Sequence, residues 1–285
     1  MPHSHSRGAE RVRPGWVIAK PVVSVERGMN AIQSTQPVPL SSFGTDLQVA
    51  VIGAGGGIGG AFVDALAACP AVSRVFALSR AGVDRQHHRV VPLSIDLEDE
   101  ATIAAAAESA KQAAGSLHLV IVAAGLLHDG DAVKPEKTWR TLDAAAMEAV
   151  YRINTIGPAL AAKHFLPLLA ADRKSAFAAL AARVGSIEDN RLGGWYAYRA
   201  SKAALVMIVK SLSIELARRN ENAICVGLHP GTVDTGLSKP FQAGVPEGKL
   251  FPPAKSAAHL LSVLDGLTPA DSGNQFAWDG QRVPY

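Results

Sequence analysis

Apolar residues in this chain gather in short runs separated by amphipathic stretches, and the alternation sets in at Leu47. Residues 47–52 (LQVAVI) end in a string of glycines, the pattern of a buried parallel strand. A helix follows over 58–69, with Pro70 just beyond it. Further strands are predicted over 75–78, 90–95, 117–124, 176–181, 223–228 and 274–278. Between them lie an Ala-rich helix over 98–114 closed by Gly115, and one or two long helices over 141–171. Pro158 stands at an N-terminal position of the second of these. A long helix over 195–220 and a late one over 254–264 complete the pattern.

Strand–helix alternation of this kind implies an α/β fold: a single doubly wound (Rossmann) parallel sheet with helices on both faces. Ligands of such sheets bind outside the carboxyl ends of the strands. The 285 residues are 48% hydrophobic and 19% charged, which fits a folded chain with a substantial core. No composition break divides 46–285, so this stretch is expected to be one domain. Residues 1–45 are rich in Pro, Ser, Arg and Gly without clean periodicity, and read as a poorly ordered extension. All of the net charge of +3 resides there, leaving a neutral body with no electrostatic footprint for nucleic acid. That extension fits a transit peptide, a tail, or a misassigned start with Met29 as the true one. The expected location is cytoplasmic, with organelle targeting by 1–45 left open. No apolar run reaches the roughly 20 residues of a membrane span. Cys69 and Cys225 lie far apart and are expected to be buried, reduced thiols; no metal-binding motif occurs among the histidines.

Three features carry chemistry. In Gly53-Ala54-Gly55-Gly56-Gly57-Ile58-Gly59-Gly60, two registers fit: Gly55, Gly57 and Gly60 as GxGxxG, or Gly53, Gly57 and Gly59 as GxxxGxG. Following a strand and opening a helix, the glycines allow a tight turn and bring a helix N-terminus to a pyrophosphate. About twenty residues on, where an acid would take the adenosine ribose hydroxyls of NAD, stand Ser79 and Arg80. A guanidinium suits a 2′-phosphate, so NADPH is expected over NADH. Third, Tyr198 and Lys202 are spaced i, i+4 and share a helix face. An ammonium near a phenol stabilises phenolate and is expected to lower the Tyr198 pKa toward neutrality. Tyr196 is a built-in control, because its i+4 residue is Ala200.

These features, with the Val122-Ala123-Ala124-Gly125 turn, Asn154 and Pro230-Gly231-Thr232-Val233-Asp234-Thr235, occur in the order seen in short-chain dehydrogenases/reductases. The likeness spans about residues 47–280. Segments 182–187 and 189–195 resemble the C-factor-like and sniffer-like carbonyl reductase branch. The resemblance implies that Tyr198 exchanges a proton with a carbonyl or alcohol oxygen, and that Lys202 tunes it and holds the nicotinamide ribose. It implies that Asn154 supports a water-linked proton relay to Lys202. Asp96, with Leu97, would contact adenine; Ile58, Ala123, Ala124 and Gly125 would line the cofactor. Pro230, Gly231, Val233 and Thr235 would lie along its nicotinamide end. Residues 236–253, broken by Gly236, Pro240, Gly244, Pro246, Gly248 and Pro252, would form a lid over a small-molecule substrate. Dimers or tetramers through the helices of 141–171 and 195–220 would follow the family habit.

The chain departs from that pattern in three places. Ile52 stands where a Thr is usual, and Val122-Ala123 where an Asn pair is usual. The usual catalytic Ser position is Ala182, with Ala181 beside it, and Ser186 is the one nearby hydroxyl before Tyr198. Ser186 is therefore expected to turn into the site from a bend at Gly185. Two readings result: an NADPH-dependent oxidoreductase of carbonyls or alcohols, or a cofactor-binding regulatory protein on the same fold with little turnover.

Overall fold

A computed structural model describes residues 40–285. After one 3-10 turn, Ser41–Phe43, the chain runs through β1 (Leu47–Ile52), α1 (Gly57–Ala68), β2 (Val72–Ser79), β3 (Val90–Ser94), α2 (Glu100–Ala114) and β4 (Leu119–Val122). It continues through α3 (Ala144–Tyr151), a π-helical turn (Arg152–Ile156), α4 (Gly157–Phe165), β5 (Ser175–Leu180), α5 (Tyr196–Leu216) and β6 (Ala223–His229). The last elements are β7 (Thr232–Val233), β8 (Leu250–Phe251), α6 (Pro253–Gly266), β9 (Gln275–Ala277) and β10 (Arg282–Val283). The main sheet has the order β10-β9-β6-β5-β4-β1-β2-β3, parallel throughout except for the antiparallel β10–β9 pair. This is the expected doubly wound sheet, reversing direction at β1 and β4, so a crevice opens at their carboxyl ends.

The period-2 geometry of β1 divides the core. Val49 and Val51 face a cluster with Phe62 and Leu66 of α1 and Leu260 and Leu261 of α6. Ala50 and Ile52 face the opposite cluster, with Ile103 of α2, Phe165 of α4 and Leu205 and Val209 of α5. Burial on both faces explains why the strands read as continuous apolar runs. Caps set the helix starts: the Asp99 carboxylate accepts from the Ala101 N–H at 2.9 Å, and Asp143 from Ala146 at 2.8 Å. Pro158 sits in the first turn of α4, as its fixed φ predicts. Both Cys69 and Cys225 are buried, and burial pushes the Cys225 thiol up to about 12. Among the described residues no helix is long and apolar enough to cross a membrane.

The expected boundary after residue 45 needs correction. Leu40 and Phe43 are fully buried in the α1/α6 core. Ser42 donates to Asp265 through both its N–H and its hydroxyl, and the Lys174 ammonium lies 4.4 Å from the Phe43 ring centroid. Two isolated apolar residues in a polar segment give no period, yet here they close one end of the core. The rest of the predicted extension, 1–39, lies outside the described residues.

Candidate active site

The glycine turn connects β1 to α1, and a methyl group added at each position decides between its two registers. Gly53 has φ +88°, and a Cβ there would come within 2.9 Å of the Ala123 carbonyl. At Gly57 it would meet the Thr235 methyl at 2.7 Å, and at Gly59 it would overlap the Gly53 carbonyl outright. In the other register Gly55 has ordinary room, with Ser79 Cβ at 3.5 Å, and Gly60 meets chiefly the end of the flexible Arg85 side chain, with the Ala54 carbonyl no nearer than 3.4 Å. The tight set is Gly53, Gly57 and Gly59. Gly55 instead leaves open backbone at the mouth of the turn, where a ligand can approach.

That mouth opens on a cleft of about 510 Å³ lined by Gly53, Gly55, Ser79, Arg80, Asp96, Leu97, Ala123, Ala124 and Gly125, among others. Nine predicted cofactor residues thus meet in one crevice, whose α1 N-terminus, glycine cradle and strand ends suit a dinucleotide. Arg80 stands exposed on its rim. Ser79 is buried and its hydroxyl donates to the Gly82 carbonyl at 2.7 Å, so that proton holds the turn after β2. The Asp96 carboxylate accepts from the Glu98 N–H at 3.1 Å.

Other predicted contacts sit elsewhere. Ile58 packs against the α1/α6 core. Pro230 accepts from the Ser256 hydroxyl at 2.9 Å, and Val233 is buried. Gly231, at φ +77°, passes so near Phe251 and Trp278 that a Cβ would lie 2.8 Å from the Phe251 ring. These three shape the small β7–β8 ladder, which carries Thr235 over Gly57.

Tyr198 and Lys202 lie in the first two turns of α5. Lys202 is buried; its Nζ donates to the Leu180 carbonyl at the end of β5, at 2.7 Å, and lies 5.9 Å from the Tyr198 ring centroid. Gly125, Asn154 and Leu237 crowd the same spot: a Cβ on Gly125 would have Asn154 Oδ1 at 3.6 Å and both Lys202 Nζ and Leu237 Cδ1 at 3.7 Å. Asn154, in the π-helical turn, is fully buried. Its Oδ1 accepts from the Leu126 N–H at 2.7 Å, while Nδ2 donates to the Leu126 carbonyl at 2.8 Å and to the Ser201 hydroxyl at 3.1 Å. Asn154 thus clamps the loop after β4 to α5 beside Lys202.

Two expectations about this site change. Burial pushes the Tyr198 phenol up to about 12 and the Lys202 ammonium down to about 8. Desolvation disfavours the charged form of each group, which moves the phenol away from neutrality and not toward it. Ser186 does not turn into the site. Its hydroxyl donates to the Tyr285 carbonyl at 3.2 Å and accepts from the Asp189 N–H at 3.1 Å. It lines a separate pocket with Val206, Met207, Gln275 and Tyr285. Ala182 is buried and carries no hydroxyl.

Glu136 was not singled out from the sequence. It is buried, its carboxylate oxygens each accept from the Ala197 N–H at 3.3 Å, and its backbone carbonyl accepts from Trp195 at 2.6 Å. A carboxylate at the amino end of α5 complements the helix dipole and fixes the turn that presents Tyr198.

The fold and site together define an oxidoreductase of the open-sheet kind: a glycine turn, a crevice at the strand ends and a half-buried Tyr198 beside a buried Lys202. Residues 48–245 match the short chain dehydrogenase family, and the chain belongs to that family. It is 40% identical to the C-signal protein of Myxococcus xanthus over 144 residues, covering 50% of this chain and 81% of that one. The NADPH-bound carbonyl reductase from chicken fatty liver superimposes with a TM-score of 0.73 at 29% identity, covering 88% of this chain and 100% of that chain. The carbonyl reductase Sniffer of D. melanogaster shares the fold, with a TM-score of 0.73 at 23% identity over 85% of this chain and 100% of that chain.

Proposed function

We propose that the protein is an NADPH-dependent reductase of small carbonyl compounds, with Tyr198 as the proton donor. The observation that carries this reading is the convergence of Tyr198, Lys202 and Asn154 on Gly125, which itself lines the cleft that Arg80 borders. The cradle of Gly53, Gly55, Gly57 and Gly59 would hold the pyrophosphate, Arg80 the 2′-phosphate, and Asp96 with Leu97 the adenine side. When bound, the reduced nicotinamide supplies the hydride. The chain's own residues do the rest: Tyr198 donates a proton to the carbonyl oxygen, Lys202 orients the site from the Leu180 carbonyl, and Asn154 keeps the loop after β4 in place. The NADPH-bound chicken liver reductase supports the choice of cofactor.

The test is NADPH consumption with a panel of aldehydes and ketones. Tyr198→Phe is expected to bind NADPH as the native protein does and to lose about 10²–10⁴-fold in kcat. Tyr196→Phe should change kcat little; equal losses would refute the role of Tyr198. One observation favours a second reading, a cofactor-binding protein with little turnover. Ala182 leaves the substrate oxygen without the serine donor, and the Ser186 hydroxyl is spent on Tyr285 and Asp189. NADPH binding with no turnover across the panel would select it.

A further inference from the structure

Tyr198 is met by the indole of Trp195, the residue that caps its own helix, Trp195 is met in turn by Phe241 from the segment after β7, and the backbone beneath the indole is strained. Gly193, Gly194 and Trp195 are all left-handed, at φ +62°, +66° and +51°. The two glycines adopt this freely, whereas Trp195 does so against steric cost. It is held there by its N–H to the Glu136 carbonyl and by its own carbonyl, which accepts from Arg199 at 2.8 Å. A glycine would satisfy the same turn without strain, so the indole is placed here at a cost to the backbone. Its ring meets Tyr198 edge to face at 6.3 Å between centroids, and Phe241 at 4.9 Å. Phe241, from the 3-10 turn Lys239–Gly244, meets the His128 ring at 5.8 Å. His128 Nε2 is 3.2 Å from the Gly236 carbonyl, tying the loop after β4 to the segment after β7. Leu237 covers the Gly125–Lys202 end.

The wall beside the phenol is therefore aromatic and aliphatic. Trp195, Phe241 and Leu237 carry no charge, and all three are half-buried, each keeping some surface open. Such a wall rewards a flat or cyclic apolar group next to the reacting carbon and offers no charged partner to a carboxylate or phosphate.

Building on the reductase reading, we propose that the substrate is an uncharged aldehyde or ketone bearing a ring next to its carbonyl, with Trp195 and Phe241 as the residues that select the ring. The experiment compares three seven-carbon aldehydes, benzaldehyde, cyclohexanecarbaldehyde and heptanal, each with NADPH. The native protein should reduce the two cyclic aldehydes with kcat/KM roughly tenfold above heptanal, the scale of an aromatic contact with its buried area. Trp195→Gly, which relaxes the turn, and Phe241→Leu, which keeps apolar bulk, should each bring the ratio of cyclic to linear kcat/KM toward one while leaving NADPH affinity unchanged. Calorimetry adds a readout free of turnover: the NADP-loaded native protein should bind benzyl alcohol more tightly than heptan-1-ol, and the two variants should not. Equal kcat/KM for the three aldehydes in the native protein, or an unchanged ratio in both variants, would overturn the proposal. If no aldehyde is reduced, the reductase reading fails, and the calorimetric preference still decides whether the pocket selects a ring.

Discussion

Gly59→Ala paired with Gly55→Ala separates glycines that close the turn from the one that opens it. At Gly59 the new Cβ overlaps the Gly53 carbonyl, and that carbonyl cannot retreat easily. It accepts from the Gly56 N–H at 3.0 Å, while the Gly53 N–H donates to the Leu78 carbonyl at 2.9 Å. Relief must come from moving β1's end or the first turn of α1. Overpacking of this kind costs about 1–3 kcal/mol, and a weakened buried hydrogen bond about 1 kcal/mol more. For a domain of this size that corresponds to a fall in Tm of roughly 5–15 °C. At Gly55 the new methyl meets Ser79 Cβ at 3.5 Å, an ordinary contact, but it projects into the crevice. Thermal melting without cofactor, with NADPH titrations alongside, reads both effects. Gly59→Ala should lose stability and affinity together; Gly55→Ala should melt within about 2 °C of the native protein, since it leaves packing intact, and lose affinity alone. A Gly59→Ala protein that melts with the native one, or a Gly55→Ala protein that melts lower still, would refute the assignment of Gly53, Gly57 and Gly59.

Two other outcomes test separate parts of the molecule. Arg80→Asp should weaken NADPH binding and strengthen NADH binding; equal affinities for the two cofactors in the native protein would remove the role given to the guanidinium. His229, at the end of β6, is held by burial at about 4, below its ordinary 6.5. The folded state keeps it neutral, so its contribution is complete above pH 6.5 and is lost as pH falls toward 4. Urea unfolding should show stability dropping by up to roughly 3 kcal/mol over that window, and His229→Leu should flatten the slope.

Much of this was legible in the sequence because the signals were local. β1, the glycine turn and α1 follow from an apolar run, a cluster of glycines and a helical period within some twenty residues. Tyr198 and Lys202 follow from their spacing on one helix. What escaped depends on distant parts of the chain. The glycine register needs Ala123 and Thr235, which only the folded sheet brings to Gly53 and Gly57. The direction of the Ser186 hydroxyl is set by Tyr285, far along the chain. Glu136 is one acid in a loop until α5 places the Ala197 N–H beside it. Two-residue strands such as β7, β8 and β10 are too short for period 2 to register. Leu40 and Phe43 had no periodic neighbours to mark them as core.

The pKa order of the Tyr–Lys pair carries a consequence for the direction of the reaction. Spacing alone predicts a phenol drawn toward neutrality; burial instead leaves Tyr198 at about 12 and Lys202 at about 8. A phenol at that value keeps its proton throughout the neutral range, which suits donation to a carbonyl oxygen. Accepting a proton from an alcohol requires phenolate, whose fraction falls about tenfold for each pH unit below the pKa. Reduction should therefore be level from about pH 5 to 7, fall to about half near pH 8 and decline further as Lys202 loses its charge. Alcohol oxidation should be slow at neutral pH and rise by close to tenfold per unit between pH 7 and 9. Both limbs can be read from pre-steady-state rates, where product release does not mask the proton step. An oxidation rate that levels off near pH 8 would show that the Lys202 ammonium outweighs burial after all. In that case the phenol would serve both directions near neutrality, and the missing hydroxyl at Ala182 would be left as the main restraint on turnover.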